Sequence, residues 1–112
     1  MDQRVQKVIS VMEDDFSRRL SVPFLAEAVN LSSWRLCHLF KSETKMPPVR
    51  YLRTMRMEKA KGLLQSTFLS VKQIMTEVGL RDESHFVRDF RALYGLSPAK
   101  FRRQALAKEK DG

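Results

Sequence analysis

One cysteine, Cys37, is all that the 112 residues contain, so an intramolecular disulfide is excluded and the composition fits a reducing compartment. No apolar run approaches the length of a membrane span, and no signal peptide opens the chain. A soluble, cytoplasmic protein without a membrane partner is expected. Histidine is equally scarce, with two residues, His38 and His85. From these and Cys37, neither a metal site nor a nucleophile with a general base can be assembled at the usual spacing. Asp14 and Asp15 are adjacent in a helical pattern, where neighbouring residues do not face each other, so they make no carboxylate pair for acid–base work. No catalytic residue, metal or cofactor is expected, and the chain reads as a binding module rather than an enzyme. Acidic residues are outnumbered, 13 Asp and Glu against 21 Lys and Arg, for a formal net charge of +8. That balance favours polyanionic partners, nucleic acid first and anionic membrane second.

What is present is concentrated in Val71 to Phe101. Val71, Ile74, Met75 and Val78 recur at the spacing of one helix face, and Gly79 supplies a left-handed stop. Asp82 suits an N-cap. After it, Phe86, Phe90 and Leu93 form the inner face of a second helix that ends at Gly95, and Ser97 with Pro98 opens a third. At about 100° per residue, Ser84, Arg88 and Arg91 fall opposite the apolar sector. A helix, a short turn and a second amphipathic helix frame a helix-turn-helix, although any αα-hairpin shares that outline.

The chain carries this pattern twice. Ser21, Val22, Leu25, Val29 and Leu31 match Ser70, Val71, Ile74, Val78 and Leu80 at an offset of 49, and after one inserted residue the offset becomes 50. Leu36 then matches Phe86, Phe40 matches Phe90, Lys41 matches Arg91, Pro48 matches Pro98 and Tyr51 matches Phe101. Asn30 stands where Gly79 stands, and it is the next best residue for a left-handed position. Leu36, Leu39 and Phe40 are expected inside, with Trp34, His38, Lys41 and Lys45 outside. His38 matches Arg88, so a role as donor to a base or phosphate suits it better than metal ligation.

Ahead of the first copy, Val5, Val8, Ile9, Met12 and Phe16 predict an opening amphipathic helix over residues 2–16. Between the copies, Pro48 opens a long basic helix to about Ser66, with Val49, Leu52, Met57, Ala60, Leu63 and Leu64 on its apolar side. Its length, roughly 28 Å at about 1.5 Å per residue, approaches the roughly 34 Å between successive major grooves on one face of B-DNA. Gly62 weakens the last turns by about 1 kcal/mol. The fold class expected is all-α, with about seven helices in one domain: a first helix-turn-helix subdomain (1–46), a linker helix (47–67), a second subdomain (68–107) and a tail (108–112).

From Val5 to Arg103 the chain resembles the AraC/XylS-type bacterial transcriptional regulators. The segment VGLRDESHFVRDFRALYGLSPAKFRR is similar to that family's signature through Gly79, Asp82, Ser84, Phe86, Arg88, Phe90, Gly95, Pro98, Phe101 and Arg102, and RYLRTMRMEKAKGLLQST is similar to its linker helix. Leu80, His85 and Phe101 depart from the usual aromatic, Tyr and Tyr, which bears on sequence preference rather than fold. The resemblance implies sequence-specific binding of double-stranded DNA, with two recognition helices, Ser33 to Glu43 and Glu83 to Leu93, entering adjacent major grooves. Trp34, Arg35, Cys37 and His38 of the first and Glu83, Ser84, His85, Val87 and Arg88 of the second would face bases. Ser33, Lys41, Lys45, Arg50, Arg91, Lys100 and Arg103 are the candidate phosphate contacts. RNA polymerase is a candidate second partner, and a small-molecule effector enters only through a separate domain of a longer chain. The rival reading is a small basic helical protein that docks on a protein or membrane surface through its long helix, without base selectivity.

Overall fold

Seven helices account for most of the chain in the computed structural model, which describes the backbone of residues 1–111 and the side chains as far as residue 108. They are α1 (Gln3–Asp15), α2 (Val22–Ala28), α3 (Ser33–Thr44), α4 (Pro48–Ser66), α5 (Val71–Val78), α6 (Glu83–Tyr94) and α7 (Pro98–Asp111), and no strand occurs among the described residues. The backbone of α7 continues past residue 107, where the second subdomain was expected to end; of the expected tail, 108–112, residues 109–112 lie outside the described side chains. Two compact units divide the chain, residues 1–55 and 56–112, with the boundary inside α4.

In the first unit α1, α2 and α3 each start on a side chain that satisfies an orphan backbone donor. Asp2 accepts from Arg4 N at 2.7 Å, Ser21 Oγ from Phe24 N at 3.2 Å and Ser32 Oγ from Arg35 N at 3.1 Å. Pro23 sits in the first turn of α2, where its missing N–H costs nothing. The apolar stripes Val5, Val8 and Met12 of α1, Leu25 and Ala26 of α2 and Leu36 and Phe40 of α3 close on one another, with Val29 and Leu52 completing the core. Tyr51 meets Phe40 edge-on at 5.2 Å between ring centroids, a geometry aromatic quadrupoles favour.

The second unit repeats this plan. Ser70 and Gln73 form a reciprocal capping box, at 3.1 and 2.8 Å. Ile74, Met75 and Val78 are buried, Gly79 turns left-handed at φ 81°, and Asp82 accepts from His85 N at 2.9 Å to start α6. Phe86 and Phe90 are buried, and Phe101 meets Phe90 at 5.4 Å just as Tyr51 meets Phe40. The duplication is therefore structural: α3 and α6 each have 12 residues, and Pro48 and Pro98 open the helices that follow. Asn30, the counterpart of Gly79, has φ 56°, and Lys45, the counterpart of Gly95, has φ 70°. A lysine there accepts a left-handed strain of about 1–2 kcal/mol.

Three apolar expectations are corrected. Leu93 is 52% exposed, because Phe90 packs with Tyr94 and Phe101 and draws the core toward the other side of the last turn. Val49 is 60% exposed, because α4 has no single apolar side: Leu52 belongs to the first unit's core, while Met57, Ala60 and Leu64 are buried in the second unit. Leu39 is only half-buried. Gly62, by contrast, does not interrupt α4.

Candidate nucleic-acid interface

Burying Leu36 and Phe40 turns the opposite face of α3 outward, and there Trp34, Arg35, His38 and Lys41 are exposed. Ser33, in the first turn, and Cys37, on the flank, are half-buried. Trp34 is 68% exposed, and its ring stacks on His38 at 3.8 Å and 30°, while His38 Nδ1 lies 3.0 Å from the Trp34 carbonyl oxygen. The same face of α6, set by Phe86 and Phe90, exposes Glu83, Ser84, His85, Arg88 and Arg91 and leaves Val87 half-buried. An open hollow along α6 is lined by Glu83, Ser84, Val87, Arg88 and Arg91. All nine base-facing candidates thus lie on the outer faces or flanks of two helices.

The phosphate candidates are more dispersed. Lys41 and Arg91 occupy matching positions on α3 and α6, and Arg50 and Lys100 matching positions in the first turns of α4 and α7. Lys45 ends α3, and Arg103 follows on α7; all six cations are exposed. The start of α6 has a defined electrostatic setting. The Asp82 carboxyl is held below its ordinary range, chiefly because the His85 backbone N–H donates to it, and it supports the positive end of the helix dipole.

Arg102 stands apart from its cationic neighbours. Its Nε donates to the Leu64 carbonyl and its Nη2 to the Thr67 carbonyl, both at 3.3 Å, so it caps the end of α4 from α7. Sequence reasoning left this role unassigned. The available signal was the segment after Leu64, which offers no glycine to turn left-handed and leaves carbonyls without partners. Lys61 is also engaged, with Nζ 4.8 Å above the Tyr94 ring and 5.9 Å from that of Phe101. Among the described residues no group of three or more His, Cys, Asp or Glu could hold a metal ion, and no helix is long and apolar enough to cross a membrane.

Comparison with known proteins places this geometry. Residues 25–104 match the model of a family described as "Helix-turn-helix domain". The activator RhaS of Escherichia fergusonii is 35% identical over 101 residues, covering 90% of this chain and 36% of that protein. The Msm operon regulatory protein of Streptococcus mutans is 30% identical over 100 residues, covering 89% and 36%. The chain thus spans about a third of the length of these curated relatives. Among solved structures, an AraC-type transcriptional regulator from Chromobacterium violaceum superimposes with a TM-score of 0.85 at 29% identity, over 92% of each chain. The DNA-binding domain of AdpA, solved with a target DNA, gives 0.88 at 26% identity, over 97% of this chain and 98% of that one.

Proposed function

The chain belongs to the AraC/XylS type of helix-turn-helix domains, and from that premise we propose that it binds double-stranded DNA sequence-specifically and regulates transcription. In this reading α3 and α6 enter adjacent major grooves, one from each helix-turn-helix unit. The observation that carries it is the repeated outer face: two helices of 12 residues, each capped at its start and packed by two buried side chains, hold Trp34, Arg35 and His38, or Ser84, His85 and Arg88, toward solvent in matching register. Arg88 is suited to grip guanine O6 and N7 with two hydrogen bonds, whereas Lys41 and Arg91, at the stripe edges, are suited to phosphates. Lys45, Arg50, Lys100 and Arg103 extend the phosphate contacts, and Cys37 and Val87 offer small apolar contacts to bases. RNA polymerase is the candidate protein partner, and any effector would act through a further domain.

Selection of bound sites from a random duplex library tests this reading. On the selected site Arg88→Ala should cost roughly 1–3 kcal/mol and relax discrimination at one base pair. Lys41→Ala or Arg91→Ala should weaken all sequences alike and make the salt slope shallower by about one unit. Binding that is insensitive to salt, or equally tight to every duplex and to anionic vesicles, would count for the surface-docking alternative.

A further inference from the structure

We propose that His38 acts as a hydrogen-bond acceptor in the major groove, reading the exocyclic amino group of a cytosine or an adenine. The inference rests on the DNA-binding reading above and deepens it by naming the chemistry that one position selects. It replaces the donor role expected of His38 from its match to Arg88.

The argument starts from the partner of Nδ1. That nitrogen lies 3.0 Å from the Trp34 carbonyl oxygen, and a carbonyl has no hydrogen to give. The hydrogen therefore sits on Nδ1, and in the uncharged ring the other nitrogen, Nε2, carries a lone pair and accepts. The ring is also held in place. Trp34 stacks against it at 3.8 Å and 30°, so with Nδ1 engaged, Nε2 is the one polar atom left to a ligand. His38 lies midway along the exposed stripe of α3, between Trp34 and Lys41.

The donor pattern of the major groove then limits what His38 recognises. Cytosine presents N4–H2 and adenine N6–H2, whereas guanine and thymine present acceptors there. Two acceptors facing each other repel, so the position discriminates against guanine and thymine as well as favouring cytosine or adenine. Arg88, the equivalent residue of the second unit, has only donors to offer. The two copies of the motif thus read opposite hydrogen-bond polarities from the same helix position.

The test begins with sites selected from a random duplex library by the whole chain and by His38→Ala, with folding of each confirmed by circular dichroism. The base pair whose preference disappears in His38→Ala is the one read by His38; every pair presents one amino group in the major groove, on its cytosine or its adenine, and that group should carry the contact. Replacing that base by its analogue lacking the amino group, pyrimidin-2-one or unsubstituted purine, should weaken binding of the original protein roughly 3- to 10-fold, the scale of one net hydrogen bond. The same replacement should leave His38→Ala unaffected, and His38→Arg should shift the preference toward guanine. Indifference to loss of the amino group, or an unchanged selection by His38→Ala, would each overturn the assignment. If the folded protein enriches no sequence at all, the failure lies in the DNA-binding reading itself, and the assignment falls with it.

Discussion

Replacing Arg102 by alanine removes the two hydrogen bonds that the guanidinium makes to the Leu64 and Thr67 carbonyls. Hydrogen bonds from a charged donor are worth about 1.5–3 kcal/mol each when well formed. Both are 3.3 Å long and only partly buried, so about 1 kcal/mol apiece is the reasonable scale after allowing for length and solvent. Arg102→Ala should therefore destabilise the protein by about 2 kcal/mol, a fall in Tm of roughly 8 °C for a domain of this size. Arg102→Lys should recover little, because a single ammonium does not reproduce the fork that spans two carbonyls. The neighbouring Arg103→Ala is the contrast: exposed and proposed to contact phosphate, it should leave stability within about 0.5 kcal/mol while weakening DNA binding at low salt. Denaturant unfolding followed by far-UV circular dichroism reads stability, and a titration with duplex DNA reads binding. An unchanged midpoint for Arg102→Ala combined with a loss of affinity would refute the capping role and make Arg102 one more phosphate contact.

Gly62→Ala should stabilise the protein by about 0.5–1 kcal/mol, since the residue lies within α4 and an added Cβ meets nothing within 4 Å; a lower midpoint on thermal unfolding would contradict this. Phe90→Ala opens a void among Phe86, Tyr94 and Phe101 and should cost roughly 3–5 kcal/mol, with DNA affinity falling only in proportion to the unfolded fraction. Lys45→Gly should relieve a left-handed strain of about 1 kcal/mol and, if Lys45 contacts phosphate, weaken binding at the same time. The folded Asp82 carboxyl titrates below its ordinary value of 3.8 because its charged form caps α6. Its stabilisation is therefore present above that value and disappears as pH falls through the lower folded one. Asp82→Ser keeps a cap without a charge, so its stability should decline less than that of the original protein across this acid range, and parallel decline in acid denaturation curves would refute the argument.

The elements were legible in the sequence because the signals that start and stop them act over a few residues. Ser21 and Ser70 cap, Asn30 and Gly79 turn left-handed, and Pro48 and Pro98 reopen the chain; each depends on its own side chain and the nearest backbone, so each recurs in both units. The outer faces of α3 and α6 followed, since burying Leu36 with Phe40 and Phe86 with Phe90 sets what points away. Periodicity alone did not decide which apolar residues are buried, because burial depends on what lies across from them. Leu93 falls on the apolar side of its helix, yet the Phe90–Tyr94–Phe101 cluster leaves it half exposed, and α4 divides its apolar residues between two cores. Nor does a pattern of cations distinguish Arg102 from Arg103. The first finds carbonyls 38 and 35 residues away, a meeting that exists only once α7 has packed beside the end of α4, and that long-range approach is what makes one arginine a structural cap and leaves the other exposed.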